Sequence, residues 1–285
     1  MTDACLEWGH VDKRRGNALI ISHQHKFIFV RTRKVASSSL EVCLSRLLTP
    51  DDFATHQTER DKLLGQTLPE LDTRIFRGFD RFGLPLLING HSALTKAYRL
   101  FGAKIESYQV ITAERDPWDR AVSIFYWSHR RTDMKTRPME QQIAQFRAFA
   151  ARTGHGSLAR RIFGISDHRS LSQKHLYMIN GVSMVDRVLR FECLDADLLA
   201  LSQDLGLATP LAVAGINAKV GHRAGSSRDL RAFFDAPTRD LVASACAWET
   251  AAYGYDFDTR AGPAYLPDPA RFAAKAAYIA RFGKR

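Results

Sequence analysis

The chain reads as a single α/β domain in which a central parallel sheet is flanked by helices. Three observations predict this class. Short apolar runs alternate with longer amphipathic stretches along the 285 residues, the pattern of sheet strands joined by crossover helices. Twice an apolar run passes through a polar turn straight into a helical stretch, over 26–48 and 108–129. No Pro/Gly/Ser-rich linker, internal repeat or low-complexity tract divides the chain, so one domain is expected over 1–285, with a core of about 26–257 and extensions at both ends.

The elements follow in order. Residues 26–30, Lys-Phe-Ile-Phe-Val, form the first clear strand; 31–39 is a polar turn, and 40–48 a helix that Thr49-Pro50 ends. The stretch 51–80 is polar and charged, with weak helical character. An apolar run over 84–88 ends at Asn89-Gly90-His91 and leads into an amphipathic segment over 93–100. The next strand, 108–113, runs into Glu114-Arg115-Asp116-Pro117. Asp116 suits an N-cap and Pro117 a first helical turn, so a helix over 118–129 starts abruptly and leaves Arg115 at the strand's C-terminal edge. Further on, the pattern predicts a helix over 139–151, a strand over 187–191, a helix over 196–205 and helices over 238–251 and 269–281.

Charge narrows the partners. There are 41 Lys+Arg against 30 Asp+Glu, a formal net charge of +11, with a pI near 9.7. That balance asks for an anionic partner: nucleic acid, a membrane surface, or a phosphorylated or sulfated ligand. Cys5, Cys43, Cys193 and Cys246 lack the C-x-x-C spacing and the density of a disulfide framework, so free thiols in a reducing compartment are expected. The apolar patch 18–21 is too brief for a signal-peptide core, and no apolar run approaches the roughly 18 residues of a membrane span. The chain is therefore read as cytoplasmic, with no transmembrane segment.

Two segments carry chemistry. Arg31-Thr32-Arg33-Lys34-Val35-Ala36-Ser37-Ser38-Ser39 joins a strand to a helix, and its small residues let main-chain N–H groups approach an oxyanion. The helix N-terminus adds partial positive charge, the serine hydroxyls add donors and Lys34 adds a full charge. The G-x-x-x-x-G-K-[ST] pattern of ATP and GTP loops is absent. A serine-rich N-cap with solvated arginines is the plainer alternative. In the second segment, Arg115-Asp116-Pro117-Trp118-Asp119-Arg120-Ala121-Val122-Ser123, Arg115 at the strand end and Ser123 two turns into the helix can face one crevice and hold a second phosphate. Open α/β sheets bind ligands in that crevice. The plainer alternative pairs Arg115 with Asp119 and leaves Ser123 to pack.

Together these segments resemble sulfotransferases that use 3′-phosphoadenosine 5′-phosphosulfate (PAPS), particularly the carbohydrate-type enzymes related to heparan sulfate 2-O-sulfotransferase. Lys34, Val35, Ala36, Ser37, Ser38 and Ser39 match the family's 5′-phosphosulfate loop, P-K-[TV]-A-[SG]-[TS]-[ST], with Arg33 in place of the usual proline. The stretch from Arg115 to Ser123 matches the 3′-phosphate signature R-D-P-x-x-R-x-x-S in every fixed position. Arg190-Phe191-Glu192-Cys193-Leu194 resembles the family's R-F-E-x-L strand end, and Ala252-Tyr253-Gly254-Tyr255-Asp256-Phe257 its late F-G-Y-D-F stretch. The resemblance implies a P-loop-like fold similar to nucleotide kinases, with the donor held between the two phosphate motifs.

It also implies a reaction. PAPS donates its sulfuryl group to a hydroxyl, or an amine, of a carbohydrate or glycoconjugate acceptor by in-line displacement, releasing adenosine 3′,5′-bisphosphate, with no metal. Lys34 is expected to steady charge on the leaving oxygen, with Arg33 and residues 34–39 holding the 5′-phosphosulfate and Arg115 and Ser123 the 3′-phosphate. Arg223, in a late basic loop, is expected to close over the donor. His91 is nominated as base, because it follows a strand and lies between the two motifs, where some family members carry a catalytic histidine. Glu41 and Glu114 are its rivals; Glu114 also stands where the family usually has an apolar residue. From Arg130 to His175 ten Lys+Arg face three Asp+Glu, a net +7, which suits an acidic acceptor or merely solvated helix faces. A nucleotide-dependent phosphotransferase, a basic nucleic-acid-binding protein and a catalytically silent relative are the competing readings.

Overall fold

The computed structural model describes residues 19–54, 76–79, 81–88, 93–153, 171–213, 230–259 and 265–284. Its centre is a five-stranded sheet. Strands β1 (Leu19–Ser22) and β2 (Phe27–Val30) form a hairpin, and helix α1 (Ser37–Ser45) and the short β3 (Phe53–Ala54) follow. A separate two-stranded sheet joins β4 (Phe76–Phe79) to β5 (Pro85–Ile88). Helix α2 (Leu94–Phe101), β6 (Gln109–Glu114), α3 (Pro117–Ser128) and α4 (Met139–Thr153) come next. A small hairpin of β7 (Met178–Ile179) and β8 (Val182–Ser183) precedes β9 (Arg187–Arg190) and α5 (Leu194–Asp204). Helices α6 (Ala236–Ala245), α7 (Ala247–Tyr253) and α8 (Arg271–Phe282) complete the described chain.

The main sheet has the order β3-β1-β2-β6-β9. Strands β2, β6 and β9 are parallel, whereas β1 pairs antiparallel with both β2 and β3. The expected all-parallel sheet is therefore mixed. The cause is local: the apolar patch before residue 26 is itself a strand, and the four residues 23–26 fold it back, with Lys26 at φ 54°.

Alternation along the strands divides the core into two layers. Leu19, Ile21, Ile28, Val30 and Val110 face the side covered by α2, α3 and α4. Ile20, Phe27, Phe29, Ile111, Ala113 and Leu189 face the side covered by α1 and α5, against Leu40, Leu44, Leu198 and Leu201. Strands buried on both faces read as continuous apolar runs, as Phe-Ile-Phe-Val does here. Parallel direction then brings the C-terminal ends of β2, β6 and β9 to one edge, which is where segments 31–39, 115–123 and 190–194 begin.

Several expectations shift. Helix α1 starts at Ser37 and not at residue 40, so the three serines lie in its first turn. The single helix expected over 238–251 is two, broken at Cys246. Among the described residues β5 pairs with β4 and not with the main sheet, so the strand that His91 follows does not belong to the sheet that carries the two motifs. His91 and Arg223 themselves lie outside the described residues.

Candidate functional site

The loop after β2 is held in a shape its residues would not choose alone. Lys34 and Ala36 both take the left-handed conformation, at φ 62° and 57°, which costs an L-residue roughly 1–2 kcal/mol each. Such conformations persist where the surroundings over-determine them. Here the Thr32 hydroxyl donates to the Ala113 carbonyl of β6. Arg33 is gripped by a distant side chain: its N–H donates to Gln173 Oε1, and its carbonyl accepts from Gln173 Nε2 at 3.0 Å. The Lys34 carbonyl accepts from Arg115 Nη1 at 3.0 Å. Val35 points down into the apolar layer beneath. It anchors the turn and offers only main chain to a ligand.

Ala36 is the N-cap of α1 and has no side chain able to cap it. The first turn of the helix is thus Ser37, Ser38 and Ser39, at an N-terminus that carries partial positive charge. Arg31 lies behind them, 4% exposed. Its Nε donates to the Ser37 hydroxyl at 3.0 Å and its Nη2 to the Ser38 hydroxyl at 2.8 Å, with Glu41 3.7 Å from Nη1. Each hydroxyl oxygen therefore accepts from the buried guanidinium. Lys34, half-buried, carries its ammonium over the Trp127 ring on α3, 4.7 Å from the ring centre.

The second segment meets the first. Asp116 caps α3 as expected, accepting from the N–H groups of Trp118 and Asp119 at 2.8 and 2.9 Å. Arg115, 9% exposed, donates from both Nε and Nη2 to Asp119 Oδ2, at 2.8 and 2.5 Å, and lies over the Phe191 ring at 4.0 Å. The Arg115–Asp119 pairing and the contact with the first loop thus occur together. A guanidinium carries five N–H donors, and these contacts use three. Ser123 is half-buried on α3.

The two later motifs brace this edge. Glu192 Oε1 accepts the Asp116 N–H at 2.7 Å, and Oε2 accepts the Tyr255 hydroxyl at 3.1 Å. Phe257 packs edge-to-face on Trp118. A cleft of about 310 Å³ lined by Trp118, Arg239, Tyr255 and Phe257 adjoins them. A larger groove, about 1020 Å³, lies by Tyr108, Gln109 and Lys275 at the start of β6, the end of the strand opposite Arg115, and includes none of the expected site residues.

Glu114 is held between buried partners. Its carboxylate meets Arg120 at 2.5 Å and accepts the Tyr177 hydroxyl at 3.0 Å; Tyr253 donates in turn to Tyr177 at 3.1 Å. Burial raises the Glu114 carboxyl, and the Arg120 guanidinium opposes the shift. Glu41 and Glu114 are both at 0% exposure. Sequence reasoning also missed Gln173, Arg31 and Trp127. Arg31 lies inside the 31–39 loop, where its charge marks it; nothing local marks the other two.

Cys43, Cys193 and Cys246 are free thiols. Among the described residues no three His, Cys, Asp or Glu side chains gather as a metal site would require, and no helix is long and apolar enough to cross a membrane. No family model, curated protein or solved structure matches the chain.

Proposed function

We propose that the chain is a PAPS-dependent sulfotransferase of the carbohydrate type, with the P-loop-like sulfotransferase fold. The observation that carries the reading is the direct hydrogen bond between the two phosphate motifs, Arg115 Nη1 to the Lys34 carbonyl. Two anion-binding segments that touch can hold two anionic groups of one small molecule, which is what a 3′-phosphate and a 5′-phosphosulfate require.

In this scheme the main-chain N–H groups at the start of α1, with the Ser37 and Ser38 hydroxyls, hold the 5′-phosphosulfate, and Arg115 and Ser123 receive the 3′-phosphate. An acceptor oxygen attacks sulfur in line. The bond from sulfur to the bridging phosphate oxygen breaks, the electron pair leaves with adenosine 3′,5′-bisphosphate, and the acceptor's proton goes to a base. Lys34 stabilises the charge that grows on the bridging oxygen. His91 is the proposed base on its place between the motifs alone, and Arg223 the proposed cover for the donor. The basic segment 130–175 is the proposed acceptor surface.

Incubating the purified protein with PAPS and a panel of oligosaccharides and phenols tests the reading. Adenosine 3′,5′-bisphosphate and one sulfated acceptor should appear together by mass. Release of the bisphosphate with no sulfated product, or no turnover across the panel, counts against it.

A further inference from the structure

The family's first motif begins with a proline; this chain has Arg33 there, and the structure gives that residue a use that proline could not serve. The Arg33 N–H is a donor, and proline has none. It donates to Gln173 Oε1, while Gln173 Nε2 donates back to the Arg33 carbonyl at 3.0 Å. A carboxamide satisfying both main-chain groups of one residue 140 positions away fixes the position and plane of that residue's peptide units.

Gln173 is itself fixed. It is 2% exposed, and its own N–H donates to Glu249 Oε1 at 2.8 Å. The same oxygen accepts from the Ser172 hydroxyl at 2.6 Å and the Lys174 N–H at 3.2 Å. Glu249 is 1% exposed, on α7. A buried carboxylate thus gathers three donors from 172–174, and the middle residue of that triplet grips the anion loop. Immediately past the grip come the two left-handed residues, Lys34 and Ala36.

We propose that Gln173 is a positioning residue for the donor site: its carboxamide holds Arg33 so that the left-handed turn at Lys34 and Ala36 exists before ligand arrives, with the amides that follow it already aimed at the anion. The inference rests on the reading of 31–39 as the donor's anion loop. Preorganisation of this kind appears in affinity, because an unclamped loop must be ordered at the moment of binding.

The test uses the full chain and two variants. Gln173→Leu removes both hydrogen bonds. Gln173→Glu keeps the size and one acceptor but sets an oxygen against the Arg33 carbonyl, so it serves if the leucine variant fails to fold. Amide hydrogen exchange is followed by mass spectrometry in peptides covering 31–39 and 109–114, and adenosine 3′,5′-bisphosphate is titrated by calorimetry. In Gln173→Glu, exchange over 31–39 should rise about tenfold or more while 109–114 stays unchanged, and affinity should fall about tenfold or more. Unchanged exchange over 31–39, an equal rise in both peptides, or a wild-type dissociation constant in the variant each overturns the proposal. If the wild-type chain itself binds no adenosine 3′,5′-bisphosphate, the sulfotransferase reading fails, and the exchange measurement still decides whether Gln173 orders the loop.

Discussion

Arg115 Nη1 donates to the main-chain oxygen of Lys34 at 3.0 Å, while the Nε and Nη2 of the same guanidinium hold Asp119. One side chain at the end of β6 therefore reads the conformation of the loop after β2, the neighbouring parallel strand. Lysine could supply the charge at position 115 but not the planar fork that makes these contacts together. Arg115→Lys and Arg115→Ala should each weaken adenosine 3′,5′-bisphosphate binding about tenfold or more by calorimetry. Unchanged affinity would leave Arg115 a purely structural residue.

Lys34 is a catalytic residue in this account, and its loss should separate chemistry from folding. The contact with Trp127 is a cation–π pair, of a kind worth about 0.5–1 kcal/mol at exposed sites, and Lys34→Ala should lower Tm by only a few degrees. Sulfuryl transfer should fall about 100-fold or more. Near-wild-type turnover by mass would remove Lys34 from the reaction.

Glu114 and Arg120 form an ion pair and are both fully buried. Glu114→Ala leaves an uncompensated guanidinium and should destabilise the fold by about 3–5 kcal/mol in urea unfolding. Replacing both partners with apolar residues of similar volume, Glu114→Leu with Arg120→Met, should recover part of that loss. A Glu114→Ala variant as stable as wild type would contradict this expectation.

His91→Ala should depress sulfuryl transfer while leaving adenosine 3′,5′-bisphosphate affinity unchanged, as expected of a base that meets the acceptor and not the donor. Parallel loss of both readouts would mark a structural histidine.

Much of the fold was legible where local chemistry decides it. Asp116 and Pro117 announce the start of α3, and the continuous apolar run 27–30 announces a strand buried on both faces. The start of α1 was not legible, because it depends on Ala36 adopting a left-handed conformation usually left to glycine. Strands β1 and β3 are four and two residues long and take their identity from pairing, so the mixed sheet could not be read either. Strand β5 was visible, but which partner it joins is a tertiary matter.

The motif residues of the site were legible as types; what holds them was not. Arg33 and Glu114 depart from the motif pattern that the chain resembles. Their explanations stand at Gln173 and at Arg120, Tyr177 and Tyr253. Only the folded chain brings those partners together.

The proposed donor site holds one adenosine nucleotide with phosphates on both its 3′ and 5′ sides, and parallel calorimetric titration with adenosine 3′,5′-bisphosphate and ADP checks this. Saturable binding of the 3′,5′-bisphosphate is expected, and none of ADP, whose phosphates lie on the 5′ side alone. Binding of ADP with no heat from the 3′,5′-bisphosphate would contradict it.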